Sequence, residues 1–187
     1  MTTSNDFRNG MAINLDGVLM TIVEFQHVKP GKGGAFVRSK LKNVKTGAVI
    51  EKTWRGGERV EEARLEKIPM QLLYRDGDLF HVMDQETYEQ MALPAELFKD
   101  FSSLLKDGET ISVMMHNGKP VVVEPPTFVL LEVTQTDPGF KGDTAQGATK
   151  SATLETGAVV NVPLFVETGD VLKIDTRTRS YVERAKR

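Results

Sequence analysis

Turn signals recur at short intervals along this chain and separate runs of residues that favour β-strands. The turns all contain glycine and lie at Asp16-Gly17, 31–34, Thr46-Gly47, Gly56-Gly57, Asp76-Gly77, Asn117-Gly118 and 168–170. The runs between them cover residues 18–25, 35–41, 79–83, 112–115, 120–123 and 171–174. Asn-Gly and Asp-Gly between apolar runs are strong hairpin signals, because type I′ turns need positive φ. Many short strands at this spacing predict an all-β fold of small barrels or sandwiches rather than a parallel sheet.

One segment, LPAELFKDFSSLLK at residues 93–106, has a different periodicity. Its apolar residues follow the i, i+1, i+4, i+7, i+8 spacing of one helical face and are Leu97, Phe98, Phe101, Leu104 and Leu105. Pro94 lies near the start of the segment, where a missing N–H costs least. The pattern predicts a single helix that caps a small Greek-key barrel, of which the oligonucleotide-binding (OB) barrel is the best-known kind.

Two proline-containing segments are candidate domain boundaries. Pro69 interrupts the pattern within residues 66–71, and Pro125-Pro126 cannot continue a central strand. The predicted domains are therefore residues 1–65, 66–127 and 128–187. Each has about sixty residues, which is near the lower size limit for an independent core, so docking between neighbours is expected.

Composition and charge limit the kind of protein this can be. The chain has 187 residues and no cysteine, which excludes disulfides, thiolate metal sites and a cysteine nucleophile. The N-terminus does not read as a signal peptide, and no run approaches the ~18 apolar residues of a membrane helix, so a soluble, cytoplasmic protein is expected. Residues 1–64 carry eleven Lys/Arg against seven Asp/Glu, whereas residues 65–128 carry five against eleven. This asymmetry favours contact of the first third with a polyanion.

The stretch HVKPGKGGAFVRSKLKNVK, residues 27–45, places Lys32 among Pro30, Gly31, Gly33 and Gly34. It is not a phosphate-binding P-loop or a dinucleotide fingerprint, because both need a strand–helix context. By composition alone, a flexible hairpin tip with a solvated lysine is the simpler interpretation. Within the same stretch, the basic residues that flank the tip are Lys29, Arg38, Lys40, Lys42 and Lys45.

The strand after this tip alternates in character. Arg38, Lys40 and Lys42 should share one face and could bind phosphates, while Val37 and Leu41 should face a core. The predicted feature is a thin tip on a phosphate-binding stem.

The sequence offers little evidence for a catalytic site. His27, His81 and His116 stand far apart without ligand spacing, and a lone His is usually structural. No G-x-S-x-G elbow is present. Acidic clusters such as Glu58, Glu61 and Glu62 are typical of a solvated face. We therefore expect a protein that is not an enzyme, with no metal and no organic cofactor.

Three motifs resemble those of one family. They are HVKPGKGGAFVR in the first third, MDQETYEQ in the middle, and TDPGFKGDTAQGATKSATLETGAVVNVPLFVETGDVLKIDTRT near the end. Over essentially its whole length the chain resembles bacterial translation elongation factor P. The resemblance implies three β-barrel domains, an SH3-like (KOW-type) barrel followed by two OB barrels, in an L-shaped, tRNA-like arrangement.

The resemblance also implies a function. Members bind the ribosome between the peptidyl and exit sites, contact both subunits, rRNA and peptidyl-tRNA, and relieve stalling at consecutive prolines. By that match Lys32 is the tip residue near the peptidyl-transferase centre, which a modifying enzyme extends in many bacteria. The third-domain loop, matched by Gly142, Asp143, Thr144, Gly147 and Thr149, faces the small subunit, and Tyr181 and Arg184 match positions near the bound tRNA. A monomer is expected.

Two positions depart from the family pattern: Ser151 stands where many members have proline, and Arg179 where many have glycine. The rival hypothesis is a paralogous or generic OB-fold RNA-binding protein without a peptidyl-transferase role. A generic, cold-shock-like module should carry surface aromatics for base stacking, and one Trp with three Tyr offers few.

Overall fold

β-Strands dominate the residues that the computed structural model describes, which are 2–139 and 147–185. The strands are β1 (Thr2–Thr3), β2 (Ala12–Leu15), β3 (Val18–Val28), β4 (Phe36–Asn43), β5 (Val49–Arg55), β6 (Arg59–Glu62), β7 (Glu66–Asp76), β8 (Leu79–Asp84), β9 (Gln90–Pro94), β10 (Thr110–His116), β11 (Lys119–Glu124), β12 (Phe128–Thr136), β13 (Thr149–Leu154), β14 (Val159–Pro163), β15 (Val171–Asp175) and β16 (Ser180–Arg184). Two 3₁₀ segments, Ser4–Asp6 and Ala95–Leu104, complete the regular structure. Across this described part, no helix is long and apolar enough to cross a membrane.

The strands form three sheets with the orders β1-β6-β2-β3-β4-β5, β11-β10-β7-β8-β9 and β14-β13-β12-β15-β16. Pairing is antiparallel throughout the first and third sheets. In the third sheet β14 and β16, at opposite ends of the order, lie close together, so the sheet curls toward a barrel. The prediction of an all-β fold built from barrel-like sheets is confirmed.

The chain divides into two compact units. One consists of Met1–Lys67 with Met114–Val122, and the other of Ile68–Val113 with Val123–Arg187. The three domain boundaries inferred from the prolines remain predictions.

Two of the predicted tight turns have the expected backbone. Asp16 and Gly17 have φ of 51° and 85°, and Asn117 and Gly118 have φ of 50° and 73°. Positive φ at both central residues is the signature of a type I′ turn, whose twist matches that of the flanking strands. The Asp-Gly and Asn-Gly pairs therefore predicted these two hairpin turns correctly, because these residues tolerate the positive φ that the turn requires.

The prediction of a single helix over residues 93–106 is right in its position but wrong in its continuity. The segment forms 3₁₀ structure at Ala95–Leu104, interrupted at Lys99, whose φ of 46° and ψ of −141° are not helical. Phe98 lies before this break and Leu104 after it, and both are fully buried. Two short turns thus satisfy the same apolar spacing, with the Phe98 ring stacked on Phe80 at 4.1 Å between centroids.

The core of the first unit lies beneath the β3–β4 hairpin. Its buried side chains are Phe7, Ile13, Met20, Ile22, Val37, Leu41 and Trp54. The indole N–H of Trp54 donates to the hydroxyl of buried Ser39 at 2.8 Å. This anchoring of β5 to β4 matters for the site, because β4 begins directly after the loop that carries Lys32 and the end of β5 pairs with that start.

Candidate nucleic-acid interface

The Lys32 loop projects from the longest hairpin of the first unit. β3 pairs with β4 up to Val28 opposite Phe36, and the residues between them, 29–35, lie outside this strand pairing and are exposed. Lys32 lies at the middle of this loop, and within the described residues it has no acidic partner. The predicted lysine-tipped hairpin is therefore present.

The glycines leave the tip without side-chain bulk. A Cβ atom built at Gly31 or Gly34 would meet no heavy atom within 4 Å. Gly33 has φ of +115°, a conformation that side-chain-bearing residues rarely adopt, so glycine is required there for the turn itself. The loop can therefore enter a narrow space with only the lysine side chain leading.

The stem of the loop has one basic face and one buried face. Along β4 the side chains of Arg38, Lys40 and Lys42 are exposed, whereas those of Val37 and Leu41 are buried. Strand alternation thus divides them as the sequence predicted.

One of these three cations is engaged with a neighbouring carboxylate. Lys40 Nζ lies 2.8 Å from Glu24 Oε2 on β3, and the hydrogen bond with this carboxylate raises the pKa of Lys40. A bulge between Ile22 and Glu24 sets this register. The guanidinium of Arg38 lies 5.5 Å from the centroid of the Phe36 ring. Arg38 and Lys42 therefore keep their charges more available to an external anion than Lys40 does.

The root of the loop forms a groove that sequence analysis did not single out. Besides Lys29 and the small residues of the loop base, Asn5, His27 and Arg55 line it. Arg55 ends β5 and pairs across the strands with Phe36, which begins β4. The hairpin register could have shown that Arg55 lies at the loop root, but nothing in local spacing pointed to Asn5.

In the second unit, the predicted residues of the third-domain loop are only partly placed. Gly142, Asp143 and Thr144 lie outside the described residues. Gly147 and Thr149 are exposed at and just before the start of β13. What the structure places here is the base of this loop and not its centre.

The base of that loop is held by two backbone contacts. The Lys150 ammonium donates to the carbonyl of Asp137 at 2.6 Å, joining the two sides of the loop. Gly139 packs so closely on Leu164 that a Cβ atom would lie 2.6 Å from the Leu164 carbonyl oxygen. Lys150 therefore tethers the two sides of the loop base to each other.

Tyr181 and Arg184 both lie on β16. Tyr181 is half-buried and pairs with Ile174, while Arg184 is exposed. The Arg184 guanidinium lies over the Phe165 ring at 5.5 Å and contacts the Asp170 carboxylate at 3.3 Å. Phe165, which sequence analysis did not list, holds the arginine side chain by a cation–π contact.

These sites offer cations, amides and exposed backbone, but no acid–base constellation. Within residues 2–139 and 147–185 no group of three or more His, Asp or Glu side chains could hold a metal ion. The described residues of the basic hairpin and of β16 can donate hydrogen bonds and charge to an anionic polymer.

Family models match almost the whole chain. The elongation factor P KOW-like domain matches residues 3–60, the elongation factor P OB domain residues 65–123, and the elongation factor P C-terminal domain residues 129–184. The chain is 57% identical over 185 residues to elongation factor P of Moorella thermoacetica, covering 99% of this chain and 100% of that protein. It is 54% identical over 186 residues to elongation factor P of Natranaerobius thermophilus, covering 100% of this chain and 99% of that protein.

Solved structures with the same fold include translation factors. Eukaryotic translation initiation factor 5A from Methanococcus jannaschii superposes with a TM-score of 0.51 at 26% identity, over 65% of this chain and 92% of that one. A translation initiation factor eIF-5A family protein from Naegleria fowleri superposes with a TM-score of 0.53 over 66% of this chain and 96% of that one, and at 16% identity it supports the fold alone.

Proposed function

Because this chain belongs to the elongation factor P family and is a translation elongation factor, we propose that it binds the ribosome between the peptidyl and exit sites. There it stimulates peptide bond formation and relieves stalling at consecutive prolines. Like other members of this family, it is not an enzyme in the classical sense. The Lys32 loop lies beside the acceptor end of the peptidyl-tRNA and orients it.

The observation that carries this proposal is the form of the Lys32 loop. An exposed lysine stands at the tip of a glycine-walled loop, on a hairpin whose stem presents Arg38 and Lys42 outward. Such a tip can reach between RNA segments, and the cations on the stem can neutralise phosphates along the way.

In this proposal the factor promotes peptide transfer by orienting the reacting groups. Proline is a poor participant in peptide transfer because its ring fixes φ and restricts how its nitrogen can approach. Holding the reacting ends of two tRNAs in productive geometry can lower a barrier by several kcal/mol, and orientation effects reach about 7–11 kcal/mol at most. A lysine that contacts the RNA backbone near the acceptor end supplies orientation without taking part in proton transfer.

The second unit provides further contacts in this proposal. Gly147, just before β13, and Thr149, its first residue, lead the third-domain loop toward the small subunit, and Tyr181 and Arg184 contact the bound tRNA. Phe165 keeps the Arg184 guanidinium extended over its ring, which fits a flat contact with a sugar or base. The protein acts as a cytoplasmic monomer, and a modifying enzyme of the same host acts on Lys32.

A reconstituted translation reaction tests the proposal. Protein purified from its native host, which retains any modification, is added to a message that encodes three consecutive prolines. We expect full-length product with the unaltered protein and with Lys119→Ala, an exposed lysine outside the proposed site, but not with Lys32→Ala. Failure of the unaltered protein to restore product or to bind ribosomes would overturn the proposal and favour a generic RNA-binding role.

A further inference from the structure

The groove at the root of the Lys32 loop is a second candidate anion site. Its polar lining comes from Asn5, His27, Lys29 and Arg55, and its remaining walls come from Gly34, Ala35, Phe36 and Gly56. We propose that this groove, termed the root groove, binds a phosphodiester of RNA. The inference rests on the proposed function, since the groove adjoins the loop that would reach the peptidyl-tRNA.

The charge of the root groove is the first argument. Two basic side chains, those of Lys29 and Arg55, line it together with His27, and no acidic residue does. The groove on the β3–β4–β5 surface is a useful contrast, because its lining includes Glu24 and Glu51, and Lys40 there is paired with Glu24 at 2.8 Å. Of these two grooves, the root groove alone is lined by basic side chains without any carboxylate.

The unused hydrogen-bonding capacity of the lining is the second argument. In the described part of the chain, the guanidinium of Arg55 and the ammonium of Lys29 have no carboxylate partner, and the Asn5 side-chain amide has no hydrogen-bond partner. The Arg55 backbone, by contrast, is fixed, since its N–H donates to Glu58 Oε2 at 2.9 Å and its carbonyl accepts from Ser4 Oγ at 2.7 Å. The main chain that carries Arg55 is therefore held while its charged end remains available.

The shape of the groove is the third argument. Gly34, Ala35 and Gly56 bring only backbone or a methyl group to the wall, so a bulky polymer backbone can approach closely. The rings of His27 and Phe25 pack edge to face at 5.5 Å between centroids, a contact that orients the imidazole in the lining of the groove. A phosphodiester fits this set, because arginine, lysine and amide donors are the side chains that typically contact phosphate oxygens.

Salt dependence of ribosome binding tests the assignment. The full chain is titrated onto ribosomes that carry peptidyl-tRNA, at several KCl concentrations between about 50 and 200 mM, and log Kd is plotted against log salt. We expect Arg55→Gln to weaken binding roughly tenfold at low salt and to reduce the slope by about one phosphate contact. Arg55→Lys should retain the slope, because it keeps the positive charge. Asn5→Ala should weaken binding but leave the slope unchanged, because an amide carries no charge.

The matched control is Arg59→Gln, which removes an exposed arginine four residues from Arg55 on β6. We expect the wild-type slope for this variant. A wild-type slope for Arg55→Gln, or an equal loss for Arg59→Gln, would overturn the inference and leave the proposed function standing. Absence of binding by the unaltered chain would overturn both.

A crosslink identifies the class of macromolecule. Because the chain has no cysteine, Asn5→Cys gives a single thiol in the root groove that can carry an aryl azide. We expect the crosslink to ribosome complexes to form with RNA. Crosslinking only to protein would contradict the proposal and indicate an acidic protein surface as the partner.

Discussion

The main-chain amide of Gly56 donates to the carbonyl oxygen of Ala35 at 2.8 Å, and this pair closes the root of the Lys32 loop. A Cβ atom at position 56 would lie 2.8 Å from that same oxygen. Position 56 is therefore limited to glycine by close backbone approach and not by φ. The root of the loop that carries Lys32 is therefore held by backbone, whereas the glycines at its tip have open space around them.

Replacing Gly56 should disturb this root. We expect Gly56→Ala to lower the free energy of unfolding by about 1–3 kcal/mol, because backbone must move to accept the methyl group. Urea unfolding measures the change, and Gly34→Ala is the control, since a Cβ there meets nothing within 4 Å. Equal midpoints for the two variants would contradict this view of the root.

The Ser39–Trp54 hydrogen bond should be worth more than an ordinary surface contact. Ser39→Ala leaves the buried indole N–H of Trp54 without its acceptor, which costs about 1–3 kcal/mol of unfolding free energy. Trp54→Phe removes the donor, and Ser39 can still donate to the carbonyl of Lys52 at 3.3 Å. A double-mutant cycle should therefore give a total smaller than the sum of the two single effects. Strict additivity would show that the contact contributes nothing.

Asp175 should make stability depend on acidity in the second unit. Hydrogen bonds from the Arg177 side chain, followed by backbone N–H groups of Arg177 and Thr178, lower the pKa of Asp175 from 3.8 to about 2. A folded-state pKa below the unfolded value stabilises the fold above pH 3.8, and the contribution is lost as pH falls toward 2.

Unfolding of Asp175→Asn at a series of pH values checks this expectation. The variant should be less stable than the parent at neutral pH, and the difference should shrink between pH 3.8 and about 2. Asp107→Asn, which changes an exposed carboxylate, is the control. A difference for Asp175→Asn that stays constant over this range would show that the carboxylate is not the cause.

Arg179 occupies a backbone conformation that favours glycine. Its φ is 55°, and its side chain makes a long hydrogen bond to Ser103 Oγ at 3.4 Å. A left-handed conformation costs a side-chain-bearing residue about 1–2 kcal/mol, a cost that glycine avoids. Glycine in turn destabilises the fold by about 0.4–1 kcal/mol, because it gives the unfolded chain more conformational entropy. We expect Arg179→Gly to raise the free energy of unfolding by up to about 1 kcal/mol and Arg179→Val to lower it. Urea unfolding measures both changes. A loss of stability in the glycine variant would contradict the inference that the backbone at Arg179 is strained.

The sequence predicted best those features that depend on strand alternation and turn chemistry. The inward Val37 and Leu41 and the outward Arg38, Lys40 and Lys42 follow from a two-residue period that any paired strand imposes. The type I′ turn at Asn117-Gly118 follows from the residues themselves. These are local rules, and the structure confirms them.

Longer-range features could not be predicted in this way. The apolar spacing around Phe98 and Leu104 fits one helix and two 3₁₀ turns equally well, and only the backbone at Lys99 distinguishes them. The ion pair between Lys40 and Glu24 depends on a bulge that places Glu24 opposite Lys40. The root groove needs Asn5 and Arg55 together, and a separation of about fifty residues leaves no periodic signal.

The rate of a single peptide transfer to proline, at saturating factor, tests the central role of Lys32 most directly. With protein from the native host, we expect Lys32→Ala to bind ribosomes with nearly unchanged affinity, while the transfer rate falls at least roughly tenfold, or about 1.4 kcal/mol of barrier. That result would show that the tip acts on the geometry of the reaction. An unchanged rate at saturation, with only weaker binding, would contradict the account.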